Sequence, residues 1–247
     1  MKPWCAIIPS IMTHERPGNA PPHLAPLVDA YRAELVAGIR AEHHRDPLDE
    51  DVLAAIADVP RHEFIPVAAL YKLAYTDIAI GLEPGSTISQ PDIVAIMTDR
   101  LAVQRDHRVL EIGTGTGWQA AILGRLAKEV YTVEISESLV AFARANLAHV
   151  GATNVHVIHG DGHEGYAAGA PYDRILFTAA LKEIPDSIID QLAEGGRLIA
   201  PVQFEKDKDK ELADGQMTAL TVIDKQDGQL TSNIDRGVWF VPMRKEE

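Results

Sequence analysis

Two rhythms of hydrophobic and polar positions divide this chain near Ala102. From there on, short apolar, β-branched runs bounded by turn residues predict strands at Arg108–Ile112, Val130–Ile135, Asn154–Ile158, Tyr172–Phe177 and Arg197–Val202. Between them, apolar residues at helical spacing predict helices over Trp118–Ala127, Glu137–His149 and Pro185–Leu192. Ser136 is placed to cap the second of these and Gly151 to end it. Gly195-Gly196 reads as a turn before the fifth strand. Alternating strand and helix implies an α/β fold with a doubly wound parallel sheet. Two more strands, Met217–Asp224 and Val238–Val241, follow without a helix between them, as an antiparallel C-terminal pair. Asp227-Gly228 lies in the turn after the first. Gln229 to Gly237 makes the link long for a tight hairpin, so an irregular connection or a β-bulge is expected.

Before Ala102 the pattern is helical and punctuated. Prolines at 3, 9, 17, 21, 22 and 26 predict a mostly irregular arm over residues 1–26. Pro26 opens a helix with Leu27, Tyr31, Leu35 and Ile39 on one face. Asp49-Glu50-Asp51 starts a second, with Val52, Leu53 and Ile56 apolar, and Val59–Pro66 stops it. A short helix is expected over Val67–Tyr71, then a turn-rich loop from Gly81 to Pro91 and a helix over Pro91–Leu101. Ser89 stands where a helix cap is wanted. The expected organisation is an arm (1–26), N-terminal helices with a loop (27–101) and a nucleotide-binding core (102–247).

Composition narrows the function. The chain has 247 residues, 46% hydrophobic and 24% charged, enough for one sizeable core with an appendage. Its net charge of −13 and pI of about 5.2, with Lys and Arg scattered singly, exclude the basic footprint of a nucleic-acid binder. A lone cysteine, Cys5, excludes an internal disulfide and fits a reducing, cytoplasmic setting. No apolar run is long enough to cross a membrane, and Met1–Met12 is a poor signal peptide. His156, His159, Asp161 and His163 invite a metal reading. Strand periodicity puts His156 and His159 on opposite faces and the spacing matches no metal motif, so no metal is expected.

The chemistry centres on Gly113-Thr114-Gly115-Thr116-Gly117, a glycine turn between strand and helix. Such turns let a backbone approach a cofactor closely and supply positive φ. Gly115 to Ala120 formally fits the dinucleotide pattern G-x-G-x-x-A, and no Lys-Ser/Thr pair follows, so a P-loop is excluded. Glu111, two residues before the first glycine, suits a ligand carrying an ammonium group better than a pyrophosphate. S-adenosyl-L-methionine, with its sulfonium and amino charges and no phosphate, fits that rim. Glu134, ending the next strand, can accept both ribose hydroxyls of either cofactor. Asp161-Gly162 is placed to meet an adenine, and Thr178 ends the following strand. Ser, His and Asp do not come together as a nucleophile–base set. If the acceptor is a carboxylate, it is already ionised at neutral pH, because an unperturbed carboxyl titrates near ~4. Attack on a sulfonium methyl then needs alignment rather than a general base.

The residues carry a resemblance over about 49–244. Val59-Pro60-Arg61 with Phe64 and Pro66, Thr87-Ile88-Ser89-Gln90-Pro91, Val109–Gly115, Gly160-Asp161-Gly162, Ala170–Asp173, Thr178-Ala179-Ala180, Gln191-Leu192 with Gly195–Leu198, and Phe240-Val241-Pro242 are similar to the protein-L-isoaspartate O-methyltransferase family. The resemblance implies a Rossmann-like class I methyltransferase fold and S-adenosyl-L-methionine as cofactor. It implies methyl transfer to the free α-carboxylate of L-isoaspartyl residues in proteins and peptides, then closure to a succinimide and partial return to aspartate. It assigns Ser89 as the active-site residue and Thr87, Ile88, Glu111, Gly113, Thr114, Gly115, Gly117, Glu134, Asp161, Gly162 and Thr178 to the cofactor. Val238, Trp239, Phe240 and Val241, with Ser89, would meet the peptide. The chain departs from the family pattern at Gly85-Ser86-Thr87, where Gly-Gln-Thr is usual, at Trp239, where many bacterial members have Arg, and in its long arm. Relatives that methylate an aspartate of a dedicated precursor peptide are an alternative, and a non-enzymatic cofactor-binding module is a more distant one.

Overall fold

The computed structural model describes residues 5–7, 25–65, 71–82, 86–204, 207, 212–213 and 215–245. Seven strands form the central sheet: β4 (Arg108–Ile112), β5 (Glu129–Glu134), β6 (Val155–His159), β7 (Tyr172–Phe177), β8 (Leu192–Val202), β9 (Met217–Gln226) and β10 (Gln229–Trp239). Their spatial order is β10-β9-β8-β7-β4-β5-β6. The strands from β6 to β8 run parallel, and β9 and β10 are antiparallel. The chain therefore builds outward from β4 through β5 to β6, then returns to place β7 on the other side of β4. That reversal opens a crevice at the carboxyl ends of β4 and β7. Val109, Leu110 and Ile112 are buried because helices cover both faces of β4, which is why the strand shows no alternation.

The helices α4 (Pro91–Leu101), α5 (Trp118–Leu126), α6 (Glu137–His149) and α7 (Asp186–Gln191) lie at or within a residue or two of their predicted spans. Ser136 caps α6, accepting from the Leu139 N–H at 3.5 Å. Helices α1 (Ala25–Glu42) and α2 (Glu50–Asp58) add a layer against α5 and α6, with Leu35, Ile39, Leu53, Ile56 and Phe64 in one core with Trp118 and Leu147. The buried stripe of α1 runs through Val28, Leu35 and Ile39. Leu27, expected on that face, is 46% exposed because it sits one residue around the helix from the stripe.

Several expectations are corrected. Within the Pro-rich arm, β1 (Cys5–Ile7) pairs in parallel with β2 (Ala79–Gly81). The turn-rich loop contains β3 (Thr87–Ile88), antiparallel to β2, so the segment before Ser89 is held by a small three-stranded sheet. The expected helix over Val67–Tyr71 falls mostly outside the described residues, and the described turn is α3 (Tyr71–Ala74). Gly195-Gly196 is not a separate turn. It sits inside β8 where the register with β7 slips, Gly195 taking φ +74°. The link between the last strands is itself strand: β9 and β10 join through Asp227-Gly228 at φ +53° and +70°. The expected bulge is present at Asp235, between Ile234 and Arg236. No helix among the described residues is long and apolar enough to cross a membrane.

Candidate active site

The register of β4 and β5 decides which acidic residue reaches the crevice. Ile112, the last residue of β4, pairs with Val133, so Glu134 extends one step past the end of β4 while Glu111 pairs with Thr132 inside the sheet. The glycine turn hangs on the same edge: the Gly113 and Thr114 N–H groups both donate to the Val133 carbonyl, at 2.8 and 3.2 Å. Gly113 (φ +100°) leaves room for the Thr178 side chain, which a Cβ there would strike. The Thr178 hydroxyl lies 3.0 Å from the Ile112 carbonyl oxygen and 2.5 Å from that of Gly113, tying β7 to β4 at the mouth of the crevice.

Glu134 is 6% exposed and lines this mouth. Its two oxygens accept from the Gly115 N–H at 2.8 Å and the Ser136 N–H at 3.0 Å, which fixes the carboxylate between the glycine turn and the start of α6. A cleft opens beside it at the carboxyl ends of β4 and β7. Thr87, Gly113, Gly115, Gly162 and Thr178 line it with Glu134, and Val241, Met243 and Arg244 form its other wall. A second depression opens off the same Thr87, Gly113, Gly115 and Thr178. Ile88, Ser89, Thr114 and Trp118 are part of its lining.

Ser89 does not cap α4. The cap residue is Gln90, without a side-chain cap bond, and Asp77 supplies the missing acceptor instead. Its carboxylate accepts from the Asp92 N–H and from the Gln90 side-chain amide, both at 2.8 Å. Ser89 is thus left half-buried at the depression with no capping duty.

Three residues assigned to a cofactor take other positions. Glu111 is fully buried and absent from the lining of either cavity. Thr132 meets its carboxyl at 2.5 Å, Thr114 meets Thr132 at 2.7 Å, and Oε1 has no hydrogen-bond partner among the described residues. Burial pushes the Glu111 carboxyl up to about 8; the Thr132 hydrogen bond pulls it back and the negative charge of Glu134 adds to the rise. It is therefore neutral at pH 7, not the acidic rim expected. Asp161 folds back on its own loop, accepting from the His163 N–H at 2.8 Å and meeting His163 Nδ1 at 2.7 Å, while Gly162 faces the cleft. Gly117 opens α5 with φ +90° and lies against Leu147 of α6. Of the expected peptide residues, Val238 and Phe240 are core, Trp239 is 51% exposed on the edge strand, and Val241 lines the cleft. His156 meets Glu129, His159 the Ile135 carbonyl and His163 Asp161, so these histidines do not converge.

Two residues with no assigned role shape the site. Asp77 is one. The other is Arg61, fully buried and donating to the Ser89 carbonyl at 2.9 Å. The only sequence signal for it is its place in the Val-Pro-Arg run.

Comparison with known proteins bears on this geometry. The sequence profile of the family described as Protein-L-isoaspartate(D-aspartate) O-methyltransferase (PCMT) matches residues 33–247. The chain is 46% identical over 195 residues to a protein-L-isoaspartate O-methyltransferase of Methanoculleus marisnigri, covering 79% of this chain and 84% of that one. It is 43% identical to protein-L-isoaspartate O-methyltransferase 2 of a Polaromonas species, covering 85% and 95%. A solved protein-L-isoaspartate O-methyltransferase superposes with a TM-score of 0.76 at 28% identity, over 87% of this chain and 66% of that one. A beta-aspartate methyltransferase (PCMT) from Plasmodium falciparum in complex with S-adenosyl-L-homocysteine shares the fold, with a TM-score of 0.73 at 22% identity over 87% and 99%.

Proposed function

This chain belongs to the protein-L-isoaspartate(D-aspartate) O-methyltransferase family, and from that premise we propose which of its residues carry the reaction. The enzyme transfers the methyl group of S-adenosyl-L-methionine to the free α-carboxylate of L-isoaspartyl residues in proteins and peptides. The ester closes spontaneously to a succinimide, which reopens in part to normal aspartate. A reducing, cytoplasmic setting is part of the proposal, supported by the lone cysteine.

The residues at the crevice suit this cofactor. Glu134 offers a fixed carboxylate to ribose hydroxyls, Gly113 and Gly115 let the ligand lie against backbone, and Thr87 and Thr178 close the sides. Ile88 and Thr114 support the same opening from the second depression. Bound there, the cofactor supplies an electrophilic methyl group on a sulfonium. Glu134, and not the fully buried Glu111, is the acidic side chain at the mouth.

The observation that carries the reading is that the cleft and the Ser89 depression meet at Thr87, Gly113, Gly115 and Thr178. A cofactor in one and a carboxylate beside Ser89 in the other share one opening. The Ser89 hydroxyl donates a hydrogen bond to the acceptor carboxylate and fixes its approach. The acceptor, ionised at neutral pH, needs no base, so Ser89 is not a covalent nucleophile. The exposed edge at Trp239 and the wall at Val241 offer the peptide backbone a β-type contact.

Calorimetry tests the assignment. S-adenosyl-L-methionine should bind and NAD should not, and Glu134→Ala should weaken cofactor binding by ~1.5–3 kcal/mol, the scale of losing a charge-assisted acceptor. Tight NAD binding with no S-adenosyl-L-methionine signal would overturn it.

A further inference from the structure

Arg61 is a cation with no exposure, held in a 3-10 turn, Arg61–Phe64, directly after Pro60. Nη1 donates to the carbonyls of Ala74 at 2.8 Å and Thr76 at 3.4 Å. Nη2 donates to the carbonyls of Ile78 at 3.0 Å and Ser89 at 2.9 Å. The guanidinium carbon lies 5.1 Å from the centre of the Trp118 ring. Trp118 is the first residue of α5, next to Gly117, and its indole N–H donates to the Val59 carbonyl at 3.3 Å. One side chain thus joins the segment leading to β2, the Ser89 backbone and the helix that follows the glycine turn.

Burying a guanidinium is costly unless its donors are used and its charge is offset. Desolvation lowers the Arg61 pKa to about 9, and Asp77 and the Tyr75 hydroxyl oppose the fall, so the group stays protonated at neutral pH. A site that needed only volume would take a Met or Leu at lower cost. What an arginine adds is a planar fork whose two terminal nitrogens each reach a different pair of carbonyls. A lysine has one nitrogen and cannot span both pairs. Asp77 holds the chain from the other side of Ser89, through the Gln90 amide and the Asp92 N–H.

We propose that Arg61 is a positioning residue for methyl transfer, which with Asp77 clamps the Ser89 backbone at a fixed height above the glycine turn. The proposal rests on the role given to Ser89 above. The fork acts through the Ser89 carbonyl, and the hydroxyl then meets the acceptor carboxylate in line with the methyl group. Arg61→Lys keeps the charge and releases the carbonyl.

The test measures melting temperature, cofactor dissociation constant and kcat for Arg61→Lys, Asp77→Asn, Ser89→Ala and the two double variants containing Ser89→Ala. Arg61→Lys should lower kcat by about 10- to 100-fold, the cost of a lost alignment. Its cofactor dissociation constant should stay within about twofold, since the fork touches neither Glu134 nor Gly113. In the Ser89→Ala background, Arg61→Lys should add no further loss, because the group it positions is gone. Asp77→Asn should follow the same pattern and decides the matter if Arg61→Lys does not fold. Losses that multiply in the double variants, or a lowered melting temperature with kcat intact, would overturn the clamp while leaving the role of Ser89 standing. Full activity in Ser89→Ala would overturn that role and the clamp with it.

Discussion

At Ser89, position and chemistry are separable. Asp77, not the serine, serves the N-terminus of α4, so removing the hydroxyl takes nothing from the helix. Ser89→Ala should lower turnover by something like 10²-fold, the scale of one positioning contact, while melting temperature and cofactor affinity hold. Ser89→Asn, a good cap, should not restore activity, and an initial-rate assay beside a melting curve distinguishes the two roles. Glu111 makes a prediction of the opposite kind. Its carboxyl rises from an ordinary 4.5 to about 8 in the folded chain. Between those values the folded state holds a proton that the unfolded state releases. The stability this gives is fully present below about 4.5 and is lost as pH rises through about 8. Glu111→Gln, which stays neutral, should flatten melting temperature against pH over that window, with its advantage over the parent largest on the alkaline side. Parallel curves would show that Glu111 does not titrate there. The difference between Glu111 and Glu134 is not legible in the sequence, because a strand buried on both faces has no alternation and its register with its neighbour is not written in either strand alone. The turn of Asp161 onto His163 is likewise not legible in the sequence, because it is a local hydrogen bond that no periodicity records.

At the scale of elements, legibility follows the strength of the sequence punctuation. β4, β7 and α4 occupy their predicted residues because a glycine turn, a Thr-Ala-Ala end and a proline-led start mark them. β10 is legible only at its end. From Gln229 to Asp235 every residue is exposed, so this edge strand presents no apolar face to recognise. Its hairpin is marked by Asp227-Gly228, and both residues take positive φ, the requirement of a tight two-residue turn. Gly228 has open space around its Cβ position, so a substitution there meets only the backbone cost. Gly228→Ala should destabilise by ~1–2 kcal/mol, seen as a melting temperature lower by a few degrees, with turnover unchanged because the turn lies at the far end of β10 from Val241. A fall in turnover without a change in melting temperature would mean that the hairpin touches the acceptor. The small sheet of β1, β2 and β3 escapes the sequence because strands this short have no period to detect, yet β3 carries Thr87 and Ile88 into the site.

Across the whole molecule, the crevice exists because the chain turns back at β4, and the N-terminal half is folded against α5 and α6 so that Ser89 faces it. The doubly wound order is legible from the alternation of strand and helix. The meeting of two distant halves at Thr87, Gly113 and Thr178 is not, because no local pattern records a contact between residues this far apart in the chain. Family membership supplies the reaction, and the proposed site accounts for its selectivity, with the acceptor carboxylate beside Ser89 and its peptide running out past Val241. An isoaspartyl residue presents its carboxylate on the backbone carbon while the chain leaves through the side chain, a geometry that normal aspartate does not share. The decisive measurement is methanol release, as the newly formed ester closes to the succinimide, on isoaspartyl, aspartyl and blank versions of one unstructured peptide with S-adenosyl-L-methionine as donor. Release from the isoaspartyl peptide, with little from the aspartyl form and none from the blank, is the expected result. Equal rates on the two isomers, or activity confined to normal aspartate in a single peptide, would contradict it.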